Sequence, residues 1–239
     1  MTENKKTQNK IIAMFNNIAP TYDKANHVMS MGIDKSWRKK AVKLVYELYK
    51  KEKIDLIVDV ACGTGDMMST WEKGSKKKNL EISEIRGIDL SEGMISVGKQ
   101  KFPNMNFVIG DAANLPIEDN KADILSIAYG IRNVIERKKA FQEFYRVLKP
   151  GGILTILEFT KSDKKLLTHS IRDFYMAKVI PKVGGFISKN KEAYNYLPNS
   201  IGNFLTPESL ISELEELGFK IEFNKGYSMN MSTLFIAKK

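Results

Sequence analysis

The chain has 239 residues, a formal net charge of +10 and a single cysteine, Cys62. Its 43% hydrophobic and 28% charged residues are typical of a globular protein, and its length suits one compact domain. A single cysteine excludes a disulfide framework and a CxxC-type zinc site. No apolar run approaches the roughly 20 residues of a membrane-spanning helix, and the N-terminus lacks the apolar region of a signal peptide. We therefore expect a cytoplasmic protein.

Basic residues are concentrated in two segments. Residues 1–53 carry 12 basic and 5 acidic side chains, a net charge of +7, and residues 161–191 carry 8 and 2, a net charge of +6. A basic surface attracts nucleic acid, anionic lipid or an acidic substrate. Lysines on a solvated face would give the same pattern. The charge alone leaves these alternatives open.

The N-terminal segment is predicted to be helical. Residues 8–18 form a short amphipathic helix pattern that we expect to end before Pro20, and residues 35–51 repeat apolar side chains at helical spacing. Residues 1–53 lie outside the strand–helix alternation that follows, and so do residues 161–205. We expect both segments to be lid elements added to a central domain.

From residue 54 onward, strand patterns alternate with helix patterns. Strands are predicted over residues 54–60, 84–90, 106–110, 122–128 and 152–159, with two more near 219–224 and 232–237. Helices are predicted from Asp66, over 92–101 behind an N-cap at Ser91, over about 136–148 and over 206–217, with a turn at Lys149–Gly152. This alternation predicts an α/β fold with a parallel sheet covered by helices on both faces. The last two strands have no helix between them, so we expect an antiparallel hairpin at one edge.

Ligands of such sheets bind where the strands end, and three turns there carry polar residues. The turn after the first strand reads Asp59-Val60-Ala61-Cys62-Gly63-Thr64-Gly65-Asp66. It lacks the Gly-Lys-Ser/Thr of a P-loop, and Met68 stands where the dinucleotide fingerprint has its third glycine. Asp89 ends the second strand, where a carboxylate can accept hydrogen bonds from both ribose hydroxyls. Asp111, followed by Ala112, comes after the third strand, where a carboxylate can accept from an adenine amine.

These turns fit an adenosine ligand that needs no pyrophosphate clamp. S-adenosylmethionine (SAM) matches that description better than NAD does. The predicted SAM-binding residues are Asp59, Gly63, Thr64, Gly65, Asp89, Asp111 and Ala112.

Short stretches along nearly the whole chain carry a more specific signal. They are Met14-Phe15-Asn16, Ile18-Ala19-Pro20, Tyr22-Asp23, Trp37-Arg38, Asp59–Asp66, Gly87–Ser91, Gly110–Ala112, Tyr129–Val134, Arg146–Gly152, Leu157–Phe159 and Tyr196–Ser200. In these stretches the sequence resembles the class I SAM-dependent methyltransferases and, within them, the ubiquinone/menaquinone biosynthesis C-methyltransferase family. The glycine turn is common to many methyltransferases. Much more specific to this one family are the N-terminal stretches, Tyr129–Val134 and Tyr196–Ser200.

The resemblance implies a Rossmann-like, mostly parallel seven-stranded sheet with an antiparallel edge strand, in a single methyltransferase domain. That domain would contain an N-terminal helical lid (1–53), a SAM-binding core (54–160), a substrate or lid insertion (161–205), and a C-terminal helix with an edge hairpin (206–239). The implied reaction is C-methylation of a polyprenyl quinol, demethylmenaquinol to menaquinol, with SAM as methyl donor. It implies no metal and no nucleic-acid partner, and it allows a homodimer.

Two other functions stay open at this point. One is C-methylation of a benzoquinol precursor of ubiquinone. The other is methylation of nucleic acid, which the basic composition would suit. That function would call for base-stacking aromatics on a basic face or an RNA-binding motif, and neither pattern is visible.

Catalytic candidates come from two segments. Arg132 and Asn133 follow the fourth strand, on the substrate side of SAM. Because a guanidinium does not give up its proton in proteins, Arg132 is no base, but its charge can stabilise a phenolate or orient a water molecule. Tyr22, Asp23 and His27 lie in the N-terminal lid, where Asp23 or His27 could serve as general base.

A polyprenyl quinol stays in the bilayer, so the resemblance also implies peripheral contact with an anionic membrane surface, at the inner face of the cell membrane. The two basic segments would supply the electrostatic attraction. The residues predicted to insert shallowly are Ile11, Ile12, Met14, Phe15, Phe174, Tyr175 and Val179.

Overall fold

The structure is a computed structural model that describes residues 3–161, 179–188, 190–228 and 230–239. Its helices are α1 (Glu3–Met29), α2 (Ile33–Tyr49), α3 (Asp66–Lys78), α4 (Glu92–Lys101), α5 (Arg137–Val147), α6 (Ile180–Ser188), α7 (Lys191–Gly202) and α8 (Pro207–Glu215), with a 3₁₀ turn at Ile131–Asn133. Its strands are β1 (Lys53–Val60), β2 (Glu81–Asp89), β3 (Asn106–Ile109), β4 (Ala122–Ala128), β5 (Leu148–Glu158), β6 (Lys220–Tyr227) and β7 (Ser232–Lys238).

All seven strands belong to one sheet in the order β3-β2-β1-β4-β5-β7-β6. Strands β1 to β5 pair in parallel, and β7 runs antiparallel between β5 and β6. The predicted mostly parallel sheet and its hairpin at one edge are therefore confirmed. The strand order reverses between β1 and β4, and in open sheets such a switch point opens a crevice at the carboxyl ends of the strands.

Strand β5 begins earlier than predicted, because the expected turn at Lys149–Gly152 is a bulge inside the strand. Ala122 of β4 pairs with Leu148, and pairing resumes between Ile124 and Ile153. The extra residues include Gly151, whose φ of +77° falls in the left-handed region that favours glycine. Leu148 and Ile153 are both buried, so core packing anchors the strand on either side of the bulge.

The prediction that the first helix ends before Pro20 is wrong, because α1 continues through this residue to Met29. Proline lacks the N–H that would bond to the carbonyl of Asn16, so the helix loses one hydrogen bond there. Ile18 before the proline and Ala25 after it are both buried in one cluster with Tyr194 of α7. Tertiary packing on both sides of Pro20 thus outweighs the missing bond.

Two apolar layers cover the faces of the sheet, and a third cluster lies outside them. The side chains on one face include Phe141 and Phe144, and those on the other include Trp37 and Trp71. The third cluster joins α1 to α4, α6 and α7. We call α1, α6 and α7 the lid, because this cluster packs them together. That the N-terminal and 161–205 segments act as lid elements stays a prediction.

Candidate active site

Three neighbouring cavities lie between the lid and the carboxyl ends of the strands. The large cavity measures about 490 Å³, the strand-end cavity about 90 Å³ and the glycine-turn cavity about 40 Å³. Tyr22 of α1 lines all three. The position of Tyr22 makes the three cavities parts of one site.

The glycine turn between β1 and α3 has a backbone that other residues would strain. Gly63 has a φ of +55° and Gly65 one of +86°. A Cβ on Gly65 would also come within 2.7 Å of the Phe107 ring. Gly63 lines two of the cavities, whereas Gly65 shapes the turn and packs against β3.

The carboxylates predicted at successive strand ends converge on the strand-end cavity. Asp89, Asp111, Ala112 and Gly63 all line it. Asp89 accepts hydrogen bonds from the backbone N–H of Gly63 and of Ser91, each at 2.8 Å. Burial raises the pKa of Asp89. The arrangement offers two carboxylates to a ligand with hydroxyl and amino donors, such as adenosine.

Asp59 reaches the glycine-turn cavity from the end of β1. It is 1% exposed, and its Oδ1 accepts a hydrogen bond of 2.6 Å from Ser126 Oγ. Its Oδ2 is buried and has no hydrogen-bond partner within the described residues. Burial raises the pKa of this carboxyl to about 7. A buried acceptor without a donor, facing a cavity, fits a ligand that brings one.

Arg38 of α2 is a site residue that sequence reasoning missed. Its guanidinium donates to Asp34 Oδ2 at 2.5 Å and lies 5.6 Å from the centroid of the Tyr129 ring. Its Nε is buried, without a hydrogen-bond partner in the part of the chain that the structure describes. Arg38 lines both the large and the glycine-turn cavity. The family stretch Trp37-Arg38 pointed to this position, but the sequence pattern around it indicated no chemical role for Arg38.

Asp23 holds α1 onto the glycine turn. Its Oδ1 accepts a hydrogen bond of 2.6 Å from Thr64 Oγ1, and its Oδ2 accepts one of 2.7 Å from Lys101 Nζ. Asp23 lines the glycine-turn cavity but not the large cavity. Its role as a general base therefore stays a prediction, and the geometry favours a positioning role.

His27 belongs to a charged cluster beside the same cavity. Its Nδ1 lies 3.1 Å from Asp34 Oδ2, and its Nε2 lies 3.6 Å from Asp66 Oδ2. The ligand atoms of these three residues lie within 4.8 Å of one another, close enough to share a cation. Arg38 and Lys101 already pair with the two carboxylates, so the cluster is balanced as an ion-pair network. His27 as a base also stays a prediction.

The large cavity is mainly apolar and aromatic. Its lining includes Met14, Phe15, Ile18, Met29, Trp37, Tyr129, Phe159, Leu197 and Met231. The Tyr129 and Phe159 rings are tilted by 31° with centroids 4.6 Å apart, and the Trp37 ring lies 6.5 Å from Tyr129 at an angle of 51°. Apolar and aromatic walls of this kind suit an aromatic ring with an apolar substituent.

Arg132, like Arg38, is a cation at the wall of the large cavity. Its side chain is 6% exposed, and its Nη1 donates to Glu158 Oε1 at 2.7 Å and to the Tyr129 carbonyl at 2.6 Å. Its Nε donates to Ser200 Oγ at 3.3 Å. Glu158 is fully buried, and burial raises its pKa while the charge of Arg132 lowers it. Arg132 is thus a fixed, buried cation.

The Tyr196–Ser200 stretch of α7, to which sequence analysis gave no role, holds the residues after β4. Tyr196 donates a hydrogen bond of 3.0 Å to Asn133 Oδ1, and Ser200 contacts Arg132. Asn133 is 8% exposed and lines the strand-end cavity. The lid therefore positions both predicted catalytic residues of the β4 turn.

Solved structures show the class to which this fold belongs. The chain superposes on a SAM-dependent methyltransferase of Thermotoga maritima with a TM-score of 0.58, covering 95% of this chain and 99% of that one at 17% identity. It superposes on the CurJ carbon methyltransferase with a TM-score of 0.62, covering 88% and 55% at 15% identity. The fold is that of the SAM-dependent methyltransferases, as predicted.

The chain belongs to the ubiE/COQ5 methyltransferase family, whose model matches residues 1–239. It is 54% identical over 232 residues to the ubiquinone/menaquinone biosynthesis C-methyltransferase UbiE of Campylobacter jejuni. The alignment covers 97% of this chain and 98% of the relative. It is 36% identical over 218 residues to the demethylmenaquinone methyltransferase of Thermotoga maritima, which covers 91% of each. The family indicated by the sequence motifs is confirmed.

Proposed function

We propose that the protein transfers the methyl group of SAM to a ring carbon of demethylmenaquinol. The observation that carries the proposal is a buried cation, Arg132, fixed at the wall of an aromatic cavity next to the Asp89 and Asp111 turns. SAM, when bound, supplies an electrophilic methyl group on a positively charged sulfur. We take a naphthoquinol over the single ring of a benzoquinol, because Trp37, Tyr129 and Phe159 line the large cavity and offer apolar aromatic contact to a second ring.

Arg132 activates the quinol by its charge. A phenolic hydroxyl has a pKa of about 10, and a nearby cation lowers it by favouring the anion. The phenolate then pushes electron density onto the adjacent ring carbon, which forms the new carbon–carbon bond as the sulfur–methyl bond breaks. The same carbon then loses its proton and the phenolate oxygen regains one, so the ring is aromatic again and the reaction releases S-adenosylhomocysteine and one proton, which passes to solvent. Arg132 keeps its own proton throughout, and Glu158 holds it in place.

Tyr22 and the lid control what surrounds the reacting groups. Burial raises the pKa of Tyr22, so its hydroxyl keeps its proton and acts as a hydrogen-bond donor between the cavities. The packed lid excludes water, which strengthens the attraction between Arg132 and a phenolate. We assign neither Asp23 nor His27 as the base, because both are paired at the glycine-turn cavity.

The test compares two reduced quinols that carry the same short prenyl chain, one with a naphthalene head and one with a benzene head. With methyl-labelled SAM, we expect the naphthoquinol to be methylated at least about ten times faster, measured as kcat/KM by mass spectrometry of the products. Equal or faster methylation of the benzoquinol would overturn the substrate assignment. Methylation of neither would overturn the proposed function.

The same assay tests the role of Arg132. Arg132→Gln should lower kcat at least about tenfold while the affinity for S-adenosylhomocysteine stays near normal, because the lost interaction is made mainly in the transition state. Arg137→Gln is the matched control, since Arg137 is a partly buried arginine whose ion pair with Glu213 lies away from the cavities. If Arg132→Gln lost affinity for S-adenosylhomocysteine to the same extent as activity, Arg132 would not act on the quinol.

The proposal includes contact with a bilayer, which holds the prenyl chain of the substrate. No helix among the described residues is long and apolar enough to cross a membrane. Of the residues predicted to insert, Ile11 is buried, and Ile12, Met14, Phe15 and Val179 are half-buried. Phe174 and Tyr175 lie outside the described residues.

The turn between α1 and α2 is better suited to this contact. Val28, Met31 and Ile33 are 49%, 75% and 39% exposed, and Met31 and Ile33 line the large cavity at the same time. Exposed lysines flank the turn at positions 24 and 35. A prenyl chain could pass from the lipid into the large cavity along this rim.

A further inference from the structure

A buried tyrosine at the large cavity has a hydroxyl without a partner. Tyr194, near the start of α7, is 4% exposed and lines this cavity. Its hydroxyl makes no hydrogen bond with any residue that the structure describes. Among the described residues, one other neutral hydroxyl is buried without a bond, that of Thr155, which belongs to β5 and lies outside the three cavities. Tyr194 thus differs from Thr155 in lying beside a space that a ligand can fill.

Close packing of α6 against α7 fixes the Tyr194 ring. A Cβ on Gly184 of α6 would lie 2.2 Å from a carbon of this ring, so the two helices meet where Gly184 has no side chain. The ring also belongs to the cluster that joins α6 and α7 to α1 and α4. A ring packed this closely holds its hydroxyl at one position.

The hydroxyl of Tyr194 keeps its proton. Burial raises the pKa of Tyr194, and the phenol of Tyr22 raises it further. A protonated phenol donates one hydrogen bond and can accept others. Because a buried hydroxyl without a bond is costly, a ligand that offers it a polar atom gains affinity.

Tyr194 and the contact to Arg132 lie near opposite ends of α7. Ser200, in the last turn, accepts a hydrogen bond from Arg132 Nε, and Arg132 lines the large cavity together with Tyr194. The six residues from Tyr194 to Ser200 rise about 9 Å along the helix. A quinol is polar at two ends in the same way, because its hydroxyls lie across one ring. One hydroxyl is beside the carbon that is methylated, and the other is beside the carbon that bears the prenyl chain.

We propose that the hydroxyl of Tyr194 forms a hydrogen bond with the second oxygen of the quinol, the one beside the prenyl-bearing carbon. The proposal rests on the proposed function, in which Arg132 acts on the oxygen beside the reacting carbon. Tyr194 transfers no proton in the reaction. It selects rings that carry two oxygens, and with Arg132 it sets which ring carbon faces the methyl donor.

Two ligands that differ at the second oxygen test the assignment. One is a short-chain demethylmenaquinol kept reduced without oxygen, and the other is the same molecule without the hydroxyl beside the prenyl-bearing carbon. Calorimetry measures both affinities in protein saturated with S-adenosylhomocysteine, so that no methyl group is transferred. Tyr194→Phe should weaken the diol about 3- to 10-fold and the monohydroxy ligand less than about twofold, because the lost hydrogen bond counts only where its partner exists.

Tyr145→Phe is the matched control. It also removes one phenol hydroxyl, but Tyr145 packs against Phe219 and lies outside the three cavities, so neither affinity should change. Equal weakening of both ligands by Tyr194→Phe would give Tyr194 a packing role alone and overturn the proposal. An unchanged affinity for the diol would overturn it as well.

A methylation assay separates this proposal from the proposed function. If the wild type methylates the diol while Tyr194→Phe binds both ligands as the wild type does, the assignment of Tyr194 alone fails. If the wild type methylates no quinol, the proposed function fails, and this proposal fails with it.

Discussion

The carboxyl of Asp59 is 1% exposed, and burial raises its pKa to about 7. The charged groups that face it are Arg38 from α2, which lowers this pKa, and Asp89 from β2, which raises it. In the unfolded chain this carboxyl ionises near pH 4. Between about pH 4 and 7 the unfolded chain therefore binds fewer protons than the folded protein. The free energy of unfolding therefore falls as the pH rises through this window and levels off above it.

Replacing Asp59 with Asn should remove this pH-dependent loss. Asn keeps a partner for Ser126 but carries no charge, so Asp59→Asn should stabilise the ligand-free protein more at pH 8 than at pH 5, by roughly 2 kcal/mol. Urea denaturation at the two pH values measures the difference. Asp55→Asn is the control, because Asp55 lies on the same strand with a largely exposed side chain. Equal effects at both pH values would contradict the assignment of the titrating group.

At the scale of elements, α1 connects the lid to the nucleoside side of the site through Asn16. Asn16 Oδ1 accepts hydrogen bonds from Ser91 Oγ at 2.7 Å and from the Gly93 N–H at 2.9 Å, at the start of α4. Ser91 also caps α4 by accepting a hydrogen bond from the Met94 N–H. One side chain thus fixes α1 over the turn that follows Asp89.

Removing this link should loosen the lid without unfolding the core. Asn16→Ala removes one part-buried and one exposed hydrogen bond, of about 1 kcal/mol each, so we expect S-adenosylhomocysteine to dissociate about tenfold faster. Stopped-flow displacement measures the rate, and Asn17→Ala, the next residue of α1 and also exposed, is the control. Unchanged dissociation in Asn16→Ala would mean that α1 does not gate the nucleoside.

At the scale of the whole molecule, the sequence predicted the sheet well because its signals are local and strong. Strand β4 was predicted with its exact bounds, and the Ser91 cap was correct. The end of α1 and the start of β5 were wrong, since buried contacts far along the chain decide both. Local rules for proline and glycine could not foresee that packing.

The site residues also divide into those that local sequence signals predict and those that distant packing contacts determine. The carboxylates after the strands were predictable because parallel strands bring their carboxyl ends to one edge. Arg38 was not, because its position depends on how α2 packs against Tyr129. The hydrogen-bond partners of Arg132 could not be predicted either, because Glu158 ends another strand and Ser200 comes from the lid.

The last prediction concerns how the whole molecule meets a bilayer. The exposed apolar turn at Val28, Met31 and Ile33 lies at the rim of the large cavity, within the N-terminal segment of net charge +7. Apolar side chains add affinity by shallow insertion, and each lysine near an anionic surface adds on the order of 1 kcal/mol, which salt screens. Binding should therefore be reversible, stronger to anionic than to zwitterionic vesicles, and weaker at high salt.

The turn itself can be tested by substitution. Combined Val28→Ser and Met31→Ser should lower partitioning to anionic vesicles several-fold in sedimentation, and should raise the KM for a long-chain quinol more than for a short-chain one. Ile109→Ser is the matched control, because Ile109 is 54% exposed at the end of β3, away from this rim. Its partitioning should equal that of the wild type, since hydrophobic exposure alone does not place a residue at the membrane. Equal partitioning of the turn variant and the control would show that the turn does not face the lipid.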